Sequence, residues 1–129
     1  MSPPDLHPLV WIGGAKKEYA QFPQEVKSDF GYALHLAQAG EKMIPGAKPL
    51  SEGKLKGLGI IELVEDFDRD TYRAIYTTKL GDVVYVLHAF KKKSTRGIAT
   101  PKHEIDLIRA RYETAVRLHR ERVATREDE

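Results

Sequence analysis

The chain contains no cysteine. Structural disulfides and thiolate-bound metals are thereby excluded, and the absence fits a reducing compartment. No apolar run approaches the ~20 residues that span a bilayer. The opening residues, Met1-Ser2-Pro3-Pro4-Asp5, have neither the basic nor the apolar region of a secretory leader. A cytoplasmic protein without membrane contact is expected. No two histidines stand at a metal-ligand spacing such as the helical i, i+4 pair, so neither a metal nor another cofactor is expected. An excess of one charge is missing too. Lys and Arg number 21 against 19 Asp and Glu, so the overall balance says little about partners.

The distribution of charge says more. From Lys91 to His103 there are five Lys or Arg and no acid, whereas from Glu62 to Asp70 there are five acids and one Arg. Glu127-Asp128-Glu129 is acidic as well. Segregated charge of this kind can form a basic face for nucleic acid beside an acidic rim, and it also describes an ordinary solvated surface. The sharpest feature is Val83-Val84-Tyr85-Val86-Leu87-His88-Ala89-Phe90, an apolar β-prone run that leads directly into Lys91-Lys92-Lys93. Three neighbouring ammonium groups repel one another, so the arrangement suits a polyanion at one end of a sheet.

The length, 129 residues, suits one domain with one core and no disulfide or structural metal. The domain is expected to occupy 1–129, with its ordered part at about 8–120 and both termini frayed, the C-terminal end from about Val123. Leu9 to Ile12 reads as a short strand stopped by Gly13-Gly14. Ala15 to Phe22 reads as a short helix. Val26, Phe30, Ala33, Leu34 and Ala37 recur at helical spacing, with Pro23 in the first turn and Gly40 at the end. Residues 41–59 read as a loop. Ile60 to Glu65, Thr71 to Thr78 and the run from Val83 read as strands of an antiparallel meander, with Glu65 to Asp70 a charged turn. Thr100 is placed to cap a last helix that starts at Pro101, along which Ile105, Ile108, Tyr112, Ala115, Val116 and His119 share a side. Glu113 and Arg117 stand four apart on its polar side. The order predicts an α+β domain, with an N-terminal helical hairpin on one face of a small antiparallel sheet, followed by a C-terminal helix.

Several ordered words lie on these elements: Val10-Trp11-Ile12-Gly13, Pro23-Gln24-Glu25-Val26, Gly31-Tyr32-Ala33-Leu34, Lys48-Pro49-Leu50, Asp70-Thr71-Tyr72-Arg73-Ala74-Ile75-Tyr76, Tyr85 through Ser94, and Gly97-Ile98-Ala99-Thr100-Pro101. In this order, over about residues 8–115, the chain resembles the RelE/HigB-like toxins of type II toxin–antitoxin modules, in their phage-derived branch. The resemblance implies a RelE-like fold and metal-independent cleavage of messenger RNA on a translating ribosome, with inhibition of translation and growth. The implied partners are ribosome-bound mRNA and a cognate antitoxin, a helix-turn-helix protein from the same operon.

Such cleavage needs no protein nucleophile. The ribose 2′-OH attacks the adjacent phosphorus and the 5′-oxygen leaves, assisted by a base, by cations on the phosphate and by an acid. Arg73 matches the arginine of the family's Tyr-Arg-x-x-Tyr strand, which by resemblance faces the phosphate. A guanidinium grips two phosphate oxygens at once. Without the resemblance it reads first as a surface cation paired with Glu62, Glu65 or Asp82. Lys91, Lys92 and Lys93 stand where relatives carry basic strand-end residues. Alternation sets Lys91 and Lys93, the catalytic candidates, on one side and Lys92, an RNA-binding candidate, on the other. A lysine crowded by cations gives up its proton more readily and can act as the acid.

His88 is a catalytic candidate near neutral pH. By parity with Val84, Val86 and Phe90 it also reads as a buried, hydrogen-bonded histidine. Tyr72 and Tyr76 oppose Arg73 and read as core. Lys54, Lys56, Arg96 and Lys102 are RNA-backbone candidates or ordinary solvated loop residues. The acids of Ile60-Ile61-Glu62-Leu63-Val64-Glu65 depart from the family's basic second strand. Glu62 is therefore read as a base or as the group that orients Arg73. The alternative function is a non-catalytic module on the same fold that binds RNA, the ribosome or only the antitoxin.

Overall fold

The computed structural model describes residues 6–93 and 100–127. Strand β1 is Leu9–Trp11, helices α1 and α2 are Ala15–Ala20 and Gln24–Gln38, and strands β2 to β5 are Ala47–Pro49, Ile60–Phe67, Asp70–Thr77 and Val84–Lys93. Helix α3 is Lys102–Glu127. The sheet runs β1-β5-β4-β3-β2, with β1 parallel to β5 and every other pair antiparallel. The domain is α+β, as expected, but the sheet is mixed.

Two apolar layers sandwich the sheet. On one face α1 and α2 place Ala15, Val26, Phe30 and Leu34 against Leu63, Tyr72, Tyr76, Val84 and Val86. On the other, α3 places Ile105, Ile108 and Ala115 against Ile75, Tyr85 and Leu87. The five α2 positions at helical spacing are all buried. Gly31, on the same helix, packs closely: an added Cβ would lie 3.3 Å from the Tyr19 hydroxyl, which donates to the Lys27 carbonyl and pins α1 to α2.

Three expectations are corrected. Residues 41–59 are more than a loop: β2 pairs with β3, and Gly53–Leu55 forms one 3₁₀ turn. A three-residue edge strand ending in proline has no periodicity to betray it. The turn between β3 and β4 is only Asp68-Arg69, both at positive φ (49° and 72°), and the ladder runs through the flanking acids. This is the geometry of a tight hairpin, formed here without the usual Asn-Gly signal. Thr100 does not cap α3 with its side chain, since its Oγ1 is buried with no hydrogen-bond partner. The Pro101 carbonyl takes the first helical amides instead. Helix α3 runs past Val123 to Glu127. Arg, Glu and Ala are good helix formers, and they carry the exposed end without core contacts.

A contact with Tyr85 anchors the far part of α3. Tyr85, which is buried, holds its hydroxyl 2.9 Å from His119 Nδ1, with the rings edge to face. Gly81 lies under this histidine at φ +63°, where an added Cβ would fall 2.7 Å from His119 Cε1. Gly81→Ala is therefore expected to cost about 1–3 kcal/mol in urea denaturation, from backbone strain plus displacement of the ring. Wild-type stability would mean that the ring moves aside freely.

Candidate nucleic-acid interface

Arg73 lies on β4, facing the α3 side of the sheet. Its neighbour across β3 is Val64, and one pleat further along β3 is Glu62. The guanidinium NH1 donates to Glu62 Oε2 at 2.7 Å, and Glu62 Oε1 lies 3.4 Å from Lys48 Nζ on β2. Glu62 is buried at 5% side-chain exposure, while Arg73 keeps 14%. A buried carboxylate between two cations fixes the guanidinium and costs less than it would alone. Of the two roles open to Glu62 in the sequence, the structure places it in contact with Arg73. The Arg73 Nε–H is buried and has no acceptor.

Lys92 is the lysine brought to this arginine. Thr71 and Lys92 are opposite in the β4–β5 ladder, as are Arg73 and Phe90, so Lys92 and Arg73 are diagonal neighbours on one face. Burial makes the Lys92 ammonium easier to deprotonate, and the Arg73 charge adds to the effect, while Glu52 and Glu62 oppose it. Lys91 points to the opposite face, beside Asp70 (3.7 Å), Tyr72 and Phe22. The alternation expected from the sequence holds, but it sets the catalytic candidate Lys91 away from Arg73 and the RNA-binding candidate Lys92 beside it. Lys93 closes the ladder opposite Asp70 through its backbone; its side chain, like Arg96, lies outside the described residues.

A second cationic group surrounds the start of α3. Lys54 Nζ lies 2.7 Å from Asp106, and the Lys54 carbonyl accepts from Arg109 NH1 at 2.8 Å, stapling the 3₁₀ turn to α3. The Lys54 hydrogen bond is the main reason that the Asp106 carboxyl lies below the ordinary range; burial opposes it, and the charges of Lys54, Lys102 and His103 assist. Arg109 in turn takes Glu113, so the anticipated Glu113–Arg117 pair does not form. Lys56 and Lys102 are exposed. Among the described residues there is no group of three or more His, Asp or Glu able to hold a metal ion.

His88 is buried and enclosed. Opposite Leu87 the β4–β5 register shifts, so that Ile75 pairs with His88 but Tyr76 with Val86. This bulge breaks the parity read from the sequence: His88 falls with Phe90, on which it stacks, while Val84 and Val86 enter the other core. Its ring contacts Glu18 of α1 and Glu104 of α3. The same Glu18 carboxylate accepts from Arg111 and from the Ala89 amide, and Arg111 also donates to the Leu87 carbonyl. Strand β1 covers β5 only opposite Val84 to Val86, so this ion pair satisfies the next backbone groups of an otherwise open edge. Gly13, at φ +55°, lets the chain pass close to Arg111: a Cβ there would lie 3.1 Å from Nε. Glu18, Glu104 and Arg111 were not singled out in the sequence. Glu18 and Arg111 stand 93 residues apart, and no local pattern joins them.

A cleft of about 600 Å³ lies between the end of α2 and the edge of the sheet. Its wall includes Ile44, Ile61, Val84 and Tyr76, whose phenol is pushed up to about 12 by burial, and Lys48 is the member of the Arg73 cluster that reaches it. On the α2 face, Glu65 has its carboxyl pushed up to about 7, first by burial, then by a hydrogen bond to Asp29 and the charges of Asp29 and Glu25. Below the ordinary carboxylate range the folded and unfolded chains both hold this proton. Between there and about pH 7 the folded chain keeps a proton that the unfolded chain has lost, so stability falls as pH rises. Glu65→Gln is expected to stabilise the protein by about 1 kcal/mol above neutrality, solvent screening limiting the gain, and to change nothing in acid. Denaturation at both pH values tests this; an equal effect at both would show that repulsion is not the cause.

Among the described residues, no helix is long and apolar enough to cross a membrane. No curated protein matches the chain. Residues 17–113, well over half of its length, match the family model described as phage derived protein Gp49-like (DUF891). The chain therefore belongs to the Gp49-like family, which is grouped with the RelE/HigB-like toxins.

Proposed function

We propose that this protein is the toxin of a type II toxin–antitoxin module, an endoribonuclease that cuts messenger RNA on the ribosome. The observation that carries the reading is the Arg73–Lys92 pair, two cations on adjacent strands, one oriented by a buried carboxylate and the other with a loosened proton. Family membership supports it.

In this reading Arg73 holds the non-bridging oxygens of the scissile phosphate and stabilises the charge that builds up on them. The 2′-oxygen bonds to phosphorus as its proton passes to a base, and the P–O5′ bond breaks. Lys92 gives the 5′-oxygen its proton. The products are a 2′,3′-cyclic phosphate and a 5′-hydroxyl, and no water enters the step. Lys48, Lys54, Lys56 and Lys102 contact the flanking backbone. The antitoxin covers the cationic face with acidic or apolar groups.

A second reading, an RNA- or ribosome-binding module that does not cut, has its own support. Glu62 already contacts both Lys48 and Arg73, and both nitrogens of His88 contact carboxylates. Neither is an unengaged base. A reconstituted translation reaction with end-labelled messenger separates the readings. The toxin reading expects cuts in ribosome-bound message, reduced about 10²-fold or more by Lys92→Ala. Stalling without cuts would establish the second reading.

A further inference from the structure

Phe90 has no part in the reading above, yet it stands inside the cationic pair. In the β4–β5 ladder it is directly opposite Arg73, and Lys92 follows it by one pleat on the same face of β5. Directly opposite Cβ atoms lie about 4.5–5.5 Å apart, and alternate residues of one strand about 7 Å apart. A nucleotide whose phosphate rests on these cations has its base within reach of the phenyl ring. The ring is half-buried, packed against the core cluster that contains Ile105 and Ile108 of α3.

The ring is also backed. The register shift in the β4–β5 ladder brings His88 to the same face, and the two rings stack at 5.0 Å between centroids and 21° between planes. His88 is 4% exposed, and its nitrogens lie 2.8 Å from Glu18 of α1 and 3.0 Å from Glu104 of α3. Contacts to two helices fix the plane of the histidine, and the stack passes that orientation on to Phe90. Among the described residues no second ring stacks on Phe90. An aromatic group already held in one orientation loses little freedom when a ligand covers it.

We propose that Phe90 is the stacking platform for a base of the bound RNA, next to the phosphate on Arg73 and Lys92, so that the site takes unpaired RNA and rejects duplex. The proposal rests on the RNA-binding part of the function proposed above and is independent of cutting. A base inside a duplex has both faces covered by its neighbours and reaches a protein ring only when it is splayed out. A phenyl ring has no donor or acceptor. It takes a π face and not a base edge, so the platform tolerates every base. Stacking fixes the base, and through it the ribose, beside the cations, which is the positioning that attack by the 2′-oxygen needs.

The probe is a short RNA with 2′-O-methyl riboses, which cannot be cut by attack of the 2′-oxygen. It is titrated into the wild-type protein and followed by NMR, once as a single strand and once annealed to its complement. The single strand is expected to shift the Phe90 ring resonances upfield and to bind more tightly than the duplex. Phe90→Leu, which keeps an apolar side chain but no π face, should weaken single-strand binding about 5- to 150-fold, the scale of one stacked base. Phe90→Trp should bind about as well as wild type. Equal binding by folded Phe90→Leu, an unshifted Phe90 ring, or a duplex bound as well as the single strand each overturns the proposal. Binding that falls with Arg73→Lys but not with Phe90→Leu sinks the platform alone. No binding of either RNA by wild type sinks the RNA reading of the site and the platform with it. The wild-type titrations decide if Phe90→Leu does not fold.

Discussion

Arg111→Ala is expected to lower the stability of the domain by roughly 3–5 kcal/mol, the range for breaking one side of a buried ion pair. Arg111 keeps only 15% side-chain exposure, and its partner Glu18 keeps 27%. Without the guanidinium, Glu18 retains only His88 and the Ala89 amide, and the Leu87 carbonyl loses its donor at the strand edge. The penalty has a pH signature. Burial alone would raise the Glu18 carboxyl, but the hydrogen bonds to Arg111 and His88 and their charges outweigh it and bring it below the ordinary range. A carboxylate lowered in this way contributes stability above the ordinary carboxylate range and loses it as pH falls through the lowered folded value. The difference between wild type and Arg111→Ala should therefore shrink in acid. Urea denaturation at neutral and acid pH measures both effects. The double variant Glu18→Gln/Arg111→Met, which removes both charges, should recover part of the loss.

The second large effect concerns Arg73. Arg73→Ala is expected to reduce cleavage by about 10²–10³-fold, the scale for removing one electrostatic stabiliser of a transition state. It also strips Glu62 of its nearer cation and leaves Lys48 at 3.4 Å. A fall in stability of a few kcal/mol is expected alongside, so activity has to be read with the folded fraction. Arg73→Lys separates the two effects. It keeps a charge for Glu62 but loses the planar fork that grips two phosphate oxygens. The lysine variant should be close to wild type in stability and still markedly impaired in cutting. If it cuts normally, Arg73 supplies charge alone.

How far these features were legible in the sequence depends on the range of the forces that make them. The α2 stripe was readable residue by residue, because helical spacing and burial are two descriptions of one surface. The apolar run into Lys91–Lys93 revealed β5, and the opposition of Tyr72 and Tyr76 to Arg73 followed from the period of a strand. Parity failed at His88, since a bulge is set by pairing between strands and leaves no mark in one strand's composition. Strand β2 was missed because its three residues owe their conformation to the ladder with β3. The Arg73 site was half legible. Motif order singled out the arginine, and Glu62 was among its named partners, but Lys48 joined the cluster only through the unseen β2. Alternation set Lys91 and Lys92 on opposite faces, as they are, but it says only which side chains share a face and not which face Arg73 takes. Glu18, Glu104 and Arg111 converge from two helices across the fold, and only the structure brings them together.

The most direct test of the central reading is induced expression in a bacterial host of wild type beside Arg73→Lys, with soluble protein verified for both and transcript 5′ ends mapped. The account predicts growth arrest with new 5′ ends inside translated frames for wild type, both much reduced for the variant. Soluble wild-type protein that leaves growth and transcripts unchanged would contradict it.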